Sequence, residues 1–409
     1  ITHNPLLMPF ALALDELRED HYSALYNLYG EIDLMDPARL SAAFSSVAPG
    51  SVMDAYGLLE MQGTAFGDTL QQRMALLSRT DGGPLGLSVM GDPGRVLSFG
   101  GDDGLAAAGE LSFASMMNNA THVSNLPGGL SAFFSGGYGE SRASTGAGRS
   151  ATTRDDGLRA WHMVGGVEQR FGAMTLGVAG GYSRGSAMQV TSSALAENDV
   201  AQTAMYGVYR FDGGAYMSGM VGYGSSRTSA ERRFAAGSLD YQMHGDVGGE
   251  LFLASIEGGM NFDLANGFTL TPNASLRQYS MRMDSLTETG GETALNIAEQ
   301  RYEQLEARLG VRLSGEYAFS SGWVLTPMFD AAAVSSLSDD GGGVWASFAA
   351  APDVPFYLPG VARDQFWGEV TGGLSLVRGD TSIGLRMESS IDRDDLYEDR
   401  YTARFSYRF

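Results

Sequence analysis

The hydrophobic pattern changes period once along the chain. Up to about residue 80 the apolar positions keep helical spacing. Leu12, Leu14, Leu17, Tyr22, Leu25, Leu28 and Tyr29 form one run, and Leu40, Phe44 and Val47 follow Pro37. A third run holds Met53, Tyr56, Leu59, Met61, Phe66, Leu70, Met74 and Leu77. Asp36-Pro37 and Ser51 are natural helix starts, and Gly-rich sequence over 81–104 ends the region. From residue 130 the period becomes two. In 383–392 one face reads Ile, Leu, Met, Ser, Ile and the other Gly, Arg, Glu, Ser, Asp. Stretches of about 10 residues or more with this alternation suit strands that cross a bilayer at a tilt.

The connections separate a membrane barrel from a soluble sandwich. Tight turns fall at 170–173, 211–214, 264–267, 319–322 and 377–380, and long polar or Gly-rich stretches at 142–156, 184–198, 228–250, 284–298 and 335–363. They alternate strictly, as in a barrel with one rim of short turns and one of long loops. The expectation is an all-β fold: a 12-stranded antiparallel transmembrane β-barrel over 130–409, preceded by a mainly helical and linker region that enters the pore. The strands are expected at 130–141, 157–171, 173–185, 199–211, 214–228, 251–264, 268–283, 300–319, 322–335, 364–378, 380–392 and 396–409.

Composition narrows the function. The 409 residues hold no cysteine, which excludes disulfides and thiolate metal sites. Net charge is −21, and every one of the 27 basic residues is Arg. That sign speaks against nucleic acid as a partner. No run of about 18 uncharged apolar residues occurs, so no membrane-spanning helix is expected. The chain begins at Ile1 with no charged and apolar leader, so a signal peptide is expected to be missing or removed.

Strand alternation puts Glu168, Arg170, Glu257, Asp263, Arg277, Glu306, Arg308, Arg312, Glu316, Glu369, Arg386, Glu388, Arg404 and Arg408 on the inner face as pore-lining candidates. An Arg on the lipid face at mid-depth would cost about 2–4 kcal/mol. The plain role of these charges is to line a wet interior; the sharper one is to hold a linker and seal the pore. Aromatics near strand ends, such as Trp161, Tyr182, Phe211 and Trp323, fit interfacial girdles. His3, His21, His122, His162 and His244 show no metal spacing, and no Gly-x-Ser-x-Gly elbow supports a hydrolase; 67–70 faintly matches a lipase motif but falls inside a helical run. Acidic residues crowd the long loops, where solvation is a simpler account than cation binding.

The chain ends with aromatics at alternate positions, Tyr401, Phe405, Tyr407 and Phe409. This resembles the C-terminal insertion signal by which outer-membrane proteins are recognised by the barrel assembly machinery. The stretches 177–184, 206–216, 221–227, 270–277 and 325–331, with Trp345, Phe348, Phe356 and Gly360 leading to Arg363-Asp364, resemble the autotransporter β-domain of type V secretion. The resemblance implies an outer-membrane translocator of a Gram-negative bacterium, monomeric and without cofactor, that exports and anchors its own N-terminal passenger. Implied partners are lipid, lipopolysaccharide, the barrel assembly machinery and the passenger.

It also implies a helix in the pore before the first strand. The run at 51–79 ends about 50 residues before that strand. The small-residue segment within 105–128 lies closer and is the expected occupant, leaving 1–80 as passenger end or junction at the outer mouth and 81–129 as linker. Asn118-Asn119 is a candidate cleavage pair, although its surroundings lack the longer motif of members that cut there, and a chance pair is the simpler account. Any catalysis is expected upstream of Ile1, not in this fragment. The alternatives are a porin with an N-terminal plug and, behind it, a barrel enzyme.

Overall fold

The computed structural model describes residues 8–36, 39–40, 43, 50–79, 88–90, 130–143, 157–189, 194–264, 267–338, 343–358, 364–378, 381–393 and 396–407. Among these residues twelve long strands build the wall: β1 Leu130–Ala143, β2 Gly157–Phe171, β3 Met174–Gln189, β4 Ala194–Arg210, β5 Ala215–Ala236 and β6 Leu239–Met260, then β7 Phe268–Met283, β8 Gln300–Gly315, β9 Val324–Ser336, β10 Phe366–Arg378, β11 Thr381–Ile391 and β12 Leu396–Tyr407. Each pairs antiparallel with its sequence neighbour. The ring closes where β12 meets β1, from Leu396 opposite Ala143 to Tyr401 opposite Tyr138. Further along, β12 pairs with a short strand at Ser88–Met90.

The burial pattern is that of a soluble protein turned inside out. Leu309 is 68% exposed on the outer face and Met205 65%, while Glu168 is 1% and Glu257 2% exposed on the inner face. Apolar side chains outward and charges inward suit lipid outside and a polar lumen within. At the tight turns Gly172 and Gly213 take φ of 61° and 81°, a region that a side chain rarely occupies.

Two features exceed the sequence expectation. The 228–250 stretch, read as a loop, is strand: β5 and β6 have 22 residues each and stay paired to Ala236 opposite Leu239. Only about 10 residues are needed to cross the bilayer, so this hairpin projects far beyond it. Its polar face, with Glu231 and Arg233 outward, masks the alternation that Ala230, Phe234 and Ala236 keep inward. The 284–298 and 335–363 loops contribute Leu286–Thr287, Leu295–Ile297, Val344–Phe348 and Ala351–Leu358, which form a separate four-stranded sheet at the long-loop end.

Among the described residues the wall is preceded by α1 Met8–Asp20, α2 Tyr26–Ile32 and α3 Gly50–Leu77, with a 3-10 turn at Tyr22–Leu25. The first two sit on the four-stranded sheet and the β5–β6 hairpin. The third lies inside the barrel. None of the described helices is long and apolar enough to cross a membrane.

Candidate functional site: the occupied lumen

With 28 residues, α3 spans about 42 Å at 1.5 Å per residue. That exceeds the hydrocarbon thickness of about 30 Å. The helix is not central. It leans on β1–β5, where glycines remove side chains from the wall. A Cβ added at Gly181 would stand 2.6 Å from the Phe66 ring, and one at Gly185 2.6 Å from Leu58. Phe66, Leu70, Met74 and Leu77 join Phe133, Val164, Tyr206 and Leu253 in a buried apolar strip. The helix also carries small residues towards the wall, since a Cβ at Gly63 would lie 3.0 Å from Leu251.

Polar groups fix its depth. Arg73 donates from Nε and Nη2 to the two oxygens of Glu168, both at 2.8 Å, and the Tyr206 hydroxyl donates to the same carboxylate at 2.7 Å. Gln71 donates to Glu257 at 2.8 Å, with Tyr216 donating to the other oxygen at 2.7 Å. Glu60 lies 3.8 Å from Arg393, whose guanidinium sits over the buried Trp367 ring at 4.3 Å. Glu168 and Phe171, the end of its strand, are close to the tight-turn rim. Leu58, against Gly185, is near the long-loop rim. The helix therefore enters from the long-loop end and leaves at the tight-turn end, where Asn261 Nδ2 donates to the Ser78 carbonyl at 3.5 Å.

Across the lumen from the glycine wall, a cavity of about 170 Å³ separates α3 from β8–β11. Its wall is a charge lattice. Arg277 reaches Glu369 at 2.9 Å, Glu306 at 3.0 Å and Asp68 of the helix at 3.7 Å. Arg308 reaches Glu369 at 3.0 Å and also pairs with Asp330, which Arg312 meets at 3.0 Å. Arg386 and Glu388 pair at 3.3 Å. Alternating signs offset the cost of burying each charge, and removing one member leaves its partner uncompensated.

The interior thus brings together Glu168, Glu257, Arg277, Glu306, Arg308, Arg312, Glu369, Arg386 and Glu388. Arg170, Asp263 and Glu316 sit at the tight-turn rim: Arg170 donates to the Gly172 carbonyl at 3.1 Å, and Asp263 and Glu316 are exposed. Arg404 lies on β12, opposite Gly384. Arg408, Phe409, Asn118, Asn119 and the whole of 105–128 fall outside the described residues. Among the described residues it is 50–77, assigned from sequence to the outer mouth, that fills the lumen. Sequence reasoning also missed the helix-borne partners Glu60, Asp68, Gln71 and Arg73, because a helix placed outside offers them nothing to pair with. It missed Asp330 because Thr326, Met328 and Asp330 do not make an evident polar face. Among the described residues no three His, Asp or Glu groups could hold a metal ion.

Above the lumen the long-loop end is closed by apolar packing. Phe10, Leu17, Leu25 and Leu28 join Leu58 and Leu59 of α3, Leu158, Val200 and Phe234 of the wall, and Phe348 and Phe356 of the small sheet. Burial pushes the Tyr29 hydroxyl up to about 12, while its proton is donated to the Leu14 carbonyl at 2.7 Å. At the hairpin tip Ser238 donates to Glu31, from hydroxyl and backbone, and holds that carboxyl below its ordinary value.

A family model of the autotransporter β-domain matches residues 132–388. The chain belongs to that family. Its β-domain has the fold of the translocator domain of the autotransporter NalP from Neisseria meningitidis, with 17% identity, a TM-score of 0.53, and 75% of this chain and 97% of that chain covered. The beta domain of the Bordetella autotransporter BrkA aligns at 14% identity and a TM-score of 0.43, covering 69% and 100%. The transport unit of AIDA-I from Escherichia coli aligns at 15% and 0.43, covering 73% and 98%. Comparison with curated proteins finds no match. The protein is a transport barrel of the outer membrane.

Proposed function

We propose that this autotransporter β-domain carries its own N-terminal passenger outward and then keeps residues 50–77 in the lumen as tether and seal. The observation that carries this reading is the direction of α3. The helices upstream of it, α1 and α2, stand at the long-loop end, and long loops face outward in barrels of this class. The inward charges Glu168, Glu257, Arg277 and Glu369 then serve to hold the helix, not only to wet the wall. A plain porin has no use for a helix bound at several depths by its own lumen charges. Export draws on no nucleotide; folding of the passenger outside is the energy source that suits it. Catalysis belongs to the passenger and not to the barrel.

The partners follow from the same reading. The terminal aromatics Tyr401, Phe405, Tyr407 and Phe409 serve as the signal for the barrel assembly machinery, and outward charged residues above the apolar band face lipopolysaccharide. On intact cells, an epitope placed before Met8 is expected to be cut by external protease, while one placed after Met90 is protected. The reverse pattern overturns the orientation. Equal protection of both overturns export.

A further inference from the structure

The two helices above the lumen are bound by contacts that do not depend on the chain joining them to α3. Within the pair, Arg18 meets Asp33 at 2.6 Å and stacks over Tyr29 at 4.7 Å, so α1, the 3-10 turn and α2 make one small unit. Its apolar side faces the barrel's long connections. Phe10 lies 5.4 Å from Phe348 and 5.7 Å from Phe356, ring centre to ring centre. Leu14, Leu17, Leu25, Leu28 and Ile32 are all buried.

Polar contacts surround that patch and come from three separate connections. The β5–β6 tip supplies Ser238 to Glu31. The β7–β8 connection supplies Glu292, which accepts from Asn27 Nδ2 at 2.6 Å and from the Leu28 backbone N–H at 3.2 Å. The β9–β10 connection supplies Asp353, 2.8 Å from His21 Nε2. An apolar centre with a polar rim is the anatomy of a binding interface. The segment that follows is different: Leu34 is 87% exposed and the Arg39 side chain 82% exposed.

We propose that these three connections form a receptor for residues 8–33. The receptor holds that segment without a covalent link, so polypeptide ending near Leu34 stays on the barrel after a cut just beyond the exposed Leu34. Phe10 and Leu28 are its central anchors. The inference concerns binding alone and stands whether or not the barrel exports a passenger.

The test uses the full chain refolded in detergent, with a site-specific protease sequence inserted between Leu34 and Met35. After cleavage the N-terminal fragment is expected to elute with the barrel on gel filtration. A fragment that elutes alone overturns the proposal. A second arm carries Phe10→Glu or Leu28→Glu in the same background. Each is expected to weaken retention by about a hundredfold, the scale of losing one buried anchor. Retention unchanged in both variants overturns the assignment of the receptor. Heat-modifiable migration reports whether the barrel is folded in each case. If the insertion itself prevents folding, limited trypsin cleavage at Arg39 of the unaltered chain gives the same readout.

Discussion

Arg73 and Glu168 meet through two parallel hydrogen bonds of 2.8 Å, with the guanidinium side chain 7% and the carboxylate 0% exposed. One partner belongs to the helix and the other to the wall, so the pair measures helix position directly. A bidentate geometry adds direction as well as strength. Arg73→Ala removes both guanidinium hydrogen bonds from the buried Glu168 carboxylate, to which Tyr206 still donates. The expected loss is about 3–5 kcal/mol of helix binding, read as a lower melting temperature and more frequent channel opening in planar bilayers. The paired change Arg73→Ala with Glu168→Ala is expected to cost less than the two single losses added, because no charge is stranded.

The glycine wall makes a steric prediction. Gly181→Val places a branched side chain where the Phe66 ring already lies, since even a Cβ would be 2.6 Å away. Overpacking of this kind costs about 1–3 kcal/mol. The variant is expected to loosen α3 and raise conductance while the barrel still inserts. Gly180→Ala is the control: its Cβ would meet nothing nearer than the Gln202 carbonyl at 3.8 Å, so conductance should not change.

Acid is expected to loosen the upper clasp. Glu31 has a folded value below the ordinary 4.5, because Ser238 donates to its charged form. A depressed carboxylate contributes stability that is complete above its unfolded value and is lost as pH falls through its folded value. The window therefore opens at about 4.5 and extends downward. Hydrogen exchange of α2 and the hairpin tip should accelerate in that range. In Glu31→Gln, which keeps the shape without the charge, the acceleration attributable to this group should vanish.

The barrel was legible because lipid imposes a rule on every strand: apolar outward, so alternation is visible in Leu309, Val311 and their neighbours against Arg308 and Arg312. Beyond the bilayer the rule lapses. Residues 229–250 remain strand but put Glu231 and Arg233 into water, and a polar strand reads as a loop. The small sheet at the long-loop end was unreadable for the same reason, and its short strands are completed by partners distant in sequence, such as Leu295 opposite Phe348. The lumen charges could be placed face by face from alternation. Their partners could not, since Arg277 finds Asp68 and Glu369 only after the chain has closed.

Residues 50–77 carry a further lesson. Their spacing gave a helix, but Glu60, Asp68, Gln71 and Arg73 gave no hint of burial, since polar helical faces ordinarily meet solvent. Proximity to the first strand favoured 105–128 instead. The glycines that admit Phe66 and Leu58 lie more than 100 residues downstream, on β3, and their purpose appears only in contact with the helix.

The central claim is that α3 fills the pore, and single-channel conductance of a chain lacking residues 1–79 tests it most directly. That deletion removes α3 and leaves 80–129 intact. The full chain is expected to conduct weakly, through little more than the cavity beside β8–β11, and the truncated barrel to conduct as a wide, steadily open pore. Equal, low conductance in both, with the truncated barrel folded and inserted, would contradict the account and return the plug to the segment that follows residue 80.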